Sequence, residues 1–345
     1  MRESLQRLCD DFIANRAVVK RQFGLESSYI YPVCANMFCA RGVPARAESL
    51  AACKALLKQK TGVFSNFRGN LTAPISCMLA AGPSPEARMD QALANYTALK
   101  EHFWGSEYLA LAAFLLADMG IGQRAADKIA RGKDLYDRMK KEHPFLTSGE
   151  DSVFAVLMAF SDKSDDALIA DMESCYTLLK KRFSSSNDVQ AMSHVLALAA
   201  GDPAEKTARL IELFDAIHAA GGKYGRHYEL ATLAAVSILE ADLSQIVEDM
   251  LAVDGFLSGQ KGYGFFAMDR KTRMMHAAML VSDEYCARDT AFTALLTGSL
   301  SEMASQTAAQ NAIMTSTMAM LAAQQAAMCA MMTSAAASSA STSGN

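Results

Sequence analysis

The sequence predicts an all-α protein: an α-solenoid of about six helix-turn-helix hairpins of ~40 residues, with capping helices at both ends. Three observations carry that reading. Aromatic residues recur at positions 23, 64, 103, 145, 183, 224 and 263, each beside a lysine- or arginine-bearing run, at intervals of 38 to 42 residues. Every interval follows one plan: a short apolar segment, a polar turn, then a longer amphipathic segment. Strand signals, meaning β-branched alternation bounded by Asn-Gly or Asp-Gly, are absent.

The elements follow in order. Residues 1–22 form an amphipathic capping helix, with Leu5, Leu8, Phe12, Val19 and Phe23 on one stripe. The repeats occupy 23–263. Segments 109–116 and 153–158 exemplify the short apolar helix, and the stripe Met89, Leu93, Tyr96, Leu99, Phe103 exemplifies the long one. Turns at 41–44, 82–85, 118–120, 162–165, 201–203 and 240–242 separate them. Pro44, Pro85 and Pro203 suit the first turn of a helix, and Gly42, Gly82 and Gly201 suit the left-handed end of the preceding one. A hairpin of this size cannot bury its apolar face alone, so neighbours must stack. Residues 264–300 read as a degenerate hairpin broken near 283, 301–333 as a Met/Ala-rich C-terminal helix, and 334–345 as a disordered tail. The glycine-aromatic loops at 221–229 and 259–266 raise a closed α/α toroid as the alternative architecture.

Composition narrows the function classes. With 33 basic and 37 acidic residues the formal charge is −4, which excludes a globally basic nucleic-acid binder. Hydrophobic residues make up 51% of the chain, which excludes a disordered protein. The first sixteen residues carry charges at Arg2, Glu3, Arg7, Asp10 and Asp11, so no secretory signal is expected there. Eight cysteines stand without metal-ligand spacing, as small buried thiols of a cytoplasmic protein. No metal and no cofactor is expected. The last 43 residues, 303–345, carry no charge, but Gln324 and Gln325 interrupt their apolar runs. They are too short to span a bilayer, which takes ~20 apolar residues, and suit self-association of the C-terminal helix instead.

Lysines and arginines recur at the ends of the long segments, for example Lys58, Lys100, Lys140 and Lys180, where they complement helix dipoles. Acidic or capping residues open the next segment, among them Asn70, Glu107, Asp188, Glu229 and Asp269. The resulting edge is a mixed lattice whose field cancels beyond a Debye length of ~8–10 Å, so nucleic acid is not the expected partner.

The candidate binding residues lie at the junctions. Arg68, between Phe67 and Gly69 and close to Asn70, suits bidentate capture of a carboxylate or phosphate, or stacking on Phe67. Trp104 with Glu107 and Tyr108 suits a cationic ligand, or a wedge of Trp104 between stacked hairpins. Tyr224, His227, Glu229 and Tyr263 stand in the glycine-aromatic loops, with His227 the best general base. No HExxH, Gly-x-Ser-x-Gly or P-loop pattern accompanies them, so no catalytic residue is assigned.

Residues 61–69 (TGVFSNFRG), 99–109 (LKEHFWGSEYL) and the Ala/Met-rich ending resemble the bacterial family called domain of unknown function 4003, over about 5–333. The resemblance implies a cytoplasmic, helical bacterial protein and carries over no catalytic residue. The expected function is a non-catalytic scaffold for a protein or peptide. The alternatives are an enzyme or small-molecule binder with a pocket at the aromatic junctions and, less favoured, nucleic-acid binding along the lysine edge.

Overall fold

A computed structural model describes residues 1–24, 29–119, 125–264 and 267–287. Among these the protein is all-α, with no strand. The N-terminal helix is α1 (Glu3–Gln22). Thereafter short and long helices alternate as far as α13: α2 (Ile30–Cys39), α3 (Ala47–Lys60), α4 (Thr72–Ala81), α5 (Pro85–Lys100), α6 (Glu107–Asp118), α7 (Ala125–Glu142), α8 (Asp151–Met158), α9 (Asp165–Leu179), α10 (Ser186–Leu198), α11 (Pro203–Ala219), α12 (Leu230–Ser237) and α13 (Leu243–Ser258), followed by the long α14 (Arg270–Ala287).

The alternation has a physical basis. Three of the short helices are mostly apolar and buried all round: every residue of α2, α8 and α12 is buried. Of the long helices, α3 and α5 bury one narrow row, while α11 and α13 bury a wider face. In α3 the row is Leu50, Cys53 and Leu57; in α5 it is Met89, Ala92, Asn95 and Leu99. That spacing of three and four is one helical stripe.

The chain divides into two compact units. The N-terminal unit runs from Asp11 to Phe160. In it α3, α5 and α7 lie side by side in that order, α2 packs on α4, and α6 on α8. The C-terminal unit comprises Met1–Asp10 and the described residues from Ser161 onward. There α9 packs on α11 and α11 on α13, while α10 packs on α12 and α12 on α14. Its first turn is held by Arg2 Nη2 to Asp249 Oδ2 at 2.7 Å and by the Ser4 hydroxyl donating to Glu284 Oε1 at 2.5 Å.

Three expectations change. Each of α3, α5, α7, α9 and α13 packs most closely on the short helix that follows the aromatic junction, not on the short helix before the polar turn. The junctions are therefore the hairpin loops. The break anticipated near 283 falls inside α14, which runs on to Ala287; the rest of that degenerate hairpin, the Met/Ala segment and the tail lie outside the described residues. Pro85 and Pro203 do open α5 and α11, but Pro44 stands three residues ahead of α3.

Glycine is used in two ways at the polar turns. Gly201 has φ +96°, the left-handed conformation expected, whereas Gly82 is extended at φ −117°. Gly82 is needed for space: a Cβ there would stand 2.4 Å from Arg88 Nη1 and 2.5 Å from Arg41 Nη1.

A recurring device satisfies the buried C-terminal ends of the short helices, whose last carbonyls have no partner within the helix. Arg88 donates to the carbonyls of Met78 and Leu79 at 3.0 and 3.3 Å. Lys128 and Arg131 both donate to Ala159 at 3.0 Å. Lys206 donates to Leu196 and Ala199, and Arg209 to Ser237, Leu239 and Ala241, at 2.6–3.2 Å. Asp118 in turn pairs with both Arg41 and Arg88, and Asp171 with both Lys163 and Lys206.

Candidate functional site

The junction after α3 turns on hydrogen bonds. Arg68 Nε donates to Thr61 Oγ1 at 3.0 Å, and Nη2 donates to the carbonyls of Lys58 and Thr61 at 2.5 and 2.6 Å. Its guanidinium thus closes the C-terminal end of α3. Phe67 is buried and meets Tyr96 edge-on at 5.2 Å. Asn70 sits half-buried in the 3₁₀ turn Gly69–Leu71 that leads into α4.

At the next junction Trp104 is 96% exposed, so it does not wedge between helices. Phe103 beside it is half-buried and meets Tyr136 edge-on at 5.5 Å. The Ser106 hydroxyl accepts from the Leu109 backbone N–H and caps α6, which sets Glu107 and Tyr108, both half-buried, in its first turn.

The junction between α11 and α12 is the one that gathers titratable groups. The Tyr224 hydroxyl donates to the Glu229 carbonyl at 2.9 Å, and the His227 backbone N–H donates to Glu229 Oε2 at 3.2 Å. Gly225 makes room for that carboxylate, since a Cβ there would lie 2.0–2.2 Å from its three atoms. Glu229 is buried, and burial pushes its carboxyl above the ordinary range. His227 Nδ1 stands 3.4 Å from Asp188 Oδ2 of α10, with its side chain 68% exposed. Tyr263 is buried, its hydroxyl 3.0 Å from His276 Nδ1.

The structure therefore brings Tyr224, His227 and Glu229 together and adds Asp188 to them. Arg68, Asn70, Trp104, Glu107 and Tyr108 belong to the N-terminal unit, at two separate junctions. Among the described residues no group of three or more His, Cys, Asp or Glu side chains is placed to hold a metal ion. The seven described cysteines are buried thiols outside any disulfide, and no described helix is long and apolar enough to cross a membrane.

Two sets of residues escape a reading of junction motifs. One is the row of capping cations, for which a signal exists: Arg88 and Lys206 each stand three residues after the proline that opens their helix. The other is Asp151 at the start of α8, 5% exposed, its Oδ2 accepting the Ser148 N–H at 2.7 Å. Burial raises its carboxyl to about 7.

The chain matches the model for proteins of unknown function DUF4003 over residues 15–326, and it belongs to that family. It is also similar to the uncharacterized protein YeaA of Bacillus subtilis (strain 168), 27% identical over 191 residues. That similarity covers 53% of this chain and 57% of the relative, so the chain spans little more than half of that relative's length. No solved structure matches.

Proposed function

We propose that the protein is a non-catalytic cytoplasmic scaffold of the α-solenoid class, binding a protein or peptide on its stacked-helix surface. One observation carries this reading: the short helices α2, α8 and α12 are buried throughout, whereas α3 and α5 each bury a single row and turn broad polar faces outward. Successive faces of this kind, α3–α5–α7 in one unit and α9–α11–α13 in the other, make an extended recognition surface. The absence of chemistry is supported by how the candidate groups are used. Arg68 is spent on α3 carbonyls, and the His227 side chain is 68% exposed, its Nδ1 3.4 Å from the Asp188 carboxylate.

The test is crosslinking in the native cell, followed by capture and mass spectrometry. The wild type is compared with Ala94→Arg/Thr97→Arg on α5 and Ala208→Arg/Glu212→Arg on α11, all at exposed positions. A saturable partner retained by wild type and lost from one double variant supports the reading. Equal recovery from all three proteins overturns it.

A second reading, an enzyme or small-molecule binder, is favoured by the meeting of Asp188, His227 and the buried Glu229. It predicts a metabolite that raises the melting temperature of wild type and leaves Glu229→Gln unchanged. Nucleic-acid binding along the lysine edge predicts retention on heparin to high salt. The paired acidic groups favour elution at low salt instead.

A further inference from the structure

The two units differ in their junction rings: the N-terminal unit buries Phe23 and Phe67 but leaves other rings in water. In the C-terminal unit Phe183, Tyr224 and Tyr263 are buried. In the N-terminal unit Phe64, Trp104 and Phe145 are 100%, 96% and 99% exposed, and no other large hydrophobic side chain among the described residues is exposed to that degree. The three occupy equivalent places: each follows within four residues the last residue of α3, α5 or α7, and those helices lie side by side in that order. Neighbouring helix axes stand ~8–10 Å apart, so the rings line one edge over roughly 16–20 Å.

The turns beneath the rings are tied down. Below Phe64, Arg68 holds the carbonyls of Lys58 and Thr61. Below Trp104, Asn66 Nδ2 donates to the Tyr96 hydroxyl at 2.6 Å, and Gly105 lies against that same hydroxyl. Below Phe145, the Thr147 N–H donates to the His143 carbonyl at 2.9 Å and the Thr147 hydroxyl to the Met139 carbonyl at 3.2 Å. Anchored bases with solvated tips are a preorganised display, with little left to order on binding.

The form of the display selects its partner. A ring almost wholly in water is a projection, not the floor of a groove, and a folded protein would need a matching pocket for each one. A bilayer interface accepts projecting Trp and Phe rings without shape complementarity, and lysines beside them meet anionic headgroups. Lys58, Lys100, Lys140 and Lys141 are exposed on these helix ends, against two exposed acids, Glu101 and Glu142.

We propose that this edge of the N-terminal unit docks on an anionic membrane surface. Phe64, Trp104 and Phe145 enter the boundary between headgroups and acyl chains, and Lys58, Lys100 and Lys140 lie at the phosphates. This goes beyond the scaffold reading, which concerns the helix faces, and the two fail separately: one on a captured partner, the other on pure lipid.

Trp104 is the only tryptophan of the chain, so its emission reports directly on this edge. The full-length protein is titrated with vesicles of phosphatidylcholine, with and without 30 mol% (roughly one anionic lipid in three) phosphatidylglycerol, and floated on a density gradient. The expected result is a shift of emission to shorter wavelength, quenching by brominated acyl chains, and co-flotation, all stronger on the anionic vesicles. Phe64→Ser and Phe145→Ser each weaken partitioning by roughly tenfold or more, because each withdraws a large ring from the apolar phase. Unchanged circular dichroism in both variants excludes unfolding as the cause. Unshifted emission with no flotation on anionic vesicles at low ionic strength overturns the proposal. So does binding that survives both serine variants undiminished.

Discussion

The carboxylate of Glu229 fills the space where a side chain at position 225 would begin. An added Cβ on Gly225 would stand 2.0 Å from the Glu229 carboxyl carbon and 2.1 and 2.2 Å from its oxygens. Glycine at 225 and a tucked acid at 229 are thus one arrangement, four residues apart, and the Tyr224 hydroxyl on the Glu229 carbonyl closes it.

Gly225→Ala is accordingly expected to cost about 1–3 kcal/mol, since the carboxylate must leave its N–H partner or the loop must shift. Urea unfolding measures the loss. Glu229→Ala in the same chain should return part of it, giving a non-additive cycle, because the two positions compete for one volume. Additive losses would show that the clash is not the cause.

The buried ends of the short helices make a second expectation. Arg209→Leu leaves the carbonyls of Ser237, Leu239 and Ala241 without their donor, at a cost of about 2–4 kcal/mol in unfolding free energy. Glu212→Leu, at an exposed position one helical turn further along α11, should change stability by no more than about 0.5 kcal/mol. Equal effects would deny the arginine its capping role.

Asp151 makes stability depend on pH in a defined direction. Its folded-state carboxyl is raised from 3.8 to about 7, so the folded protein holds that proton more tightly than the unfolded chain. The sign follows: its contribution is fully present below about pH 4 and is lost as pH rises through about 7. Asp151→Asn keeps an acceptor for the Ser148 N–H and has no proton to lose. Relative to wild type it should gain stability between pH 4 and 8, on the order of a few kcal/mol at the upper end. Chemical denaturation at a series of pH values gives the difference, and a flat difference curve would contradict the assignment.

Arg273 and Asp254 form a buried, bidentate pair, with Nε to Oδ1 at 2.6 Å and Nη2 to Oδ2 at 3.0 Å. Removing one partner strands a charge, so Asp254→Leu alone is expected to cost about 3–5 kcal/mol. Asp254→Leu with Arg273→Met should recover most of that loss, because the pair's attraction is largely offset by its desolvation. Melting temperatures of the two variants decide the matter. If the double variant is no better than the single, the pair contributes net stability.

Much of this architecture was legible because it follows from period and polarity. A stripe at Met89, Leu93, Tyr96 and Leu99 calls for a helix with one buried side, and α5 is that helix, with Met89, Ala92, Asn95 and Leu99 buried and Leu93 and Tyr96 half-buried at the flank. The all-apolar run at 153–158 had to be an interior helix, and α8 is buried throughout. The site was less legible. Arg68, just after Phe64 and Phe67, reads as a ligand-binding arginine, yet its guanidinium is bound to the carbonyls at the end of α3. The forty-residue spacing marks Phe64, whereas Phe67 is the ring that goes inside; a tally of aromatics cannot tell which of two, three residues apart, the turn will bury.

Helix content, the alternation of short and long helices, the position of their turns and membership of the family were all settled by the order of residues along the chain. Those properties depend on local periodicity and on where glycine and proline fall. Which helix pairs with which, which rings are solvated, and which cation closes which helix end were decided only in three dimensions. These depend on where groups some thirty residues apart come to rest, as Arg209 does beneath Ala241, and no local pattern encodes that distance.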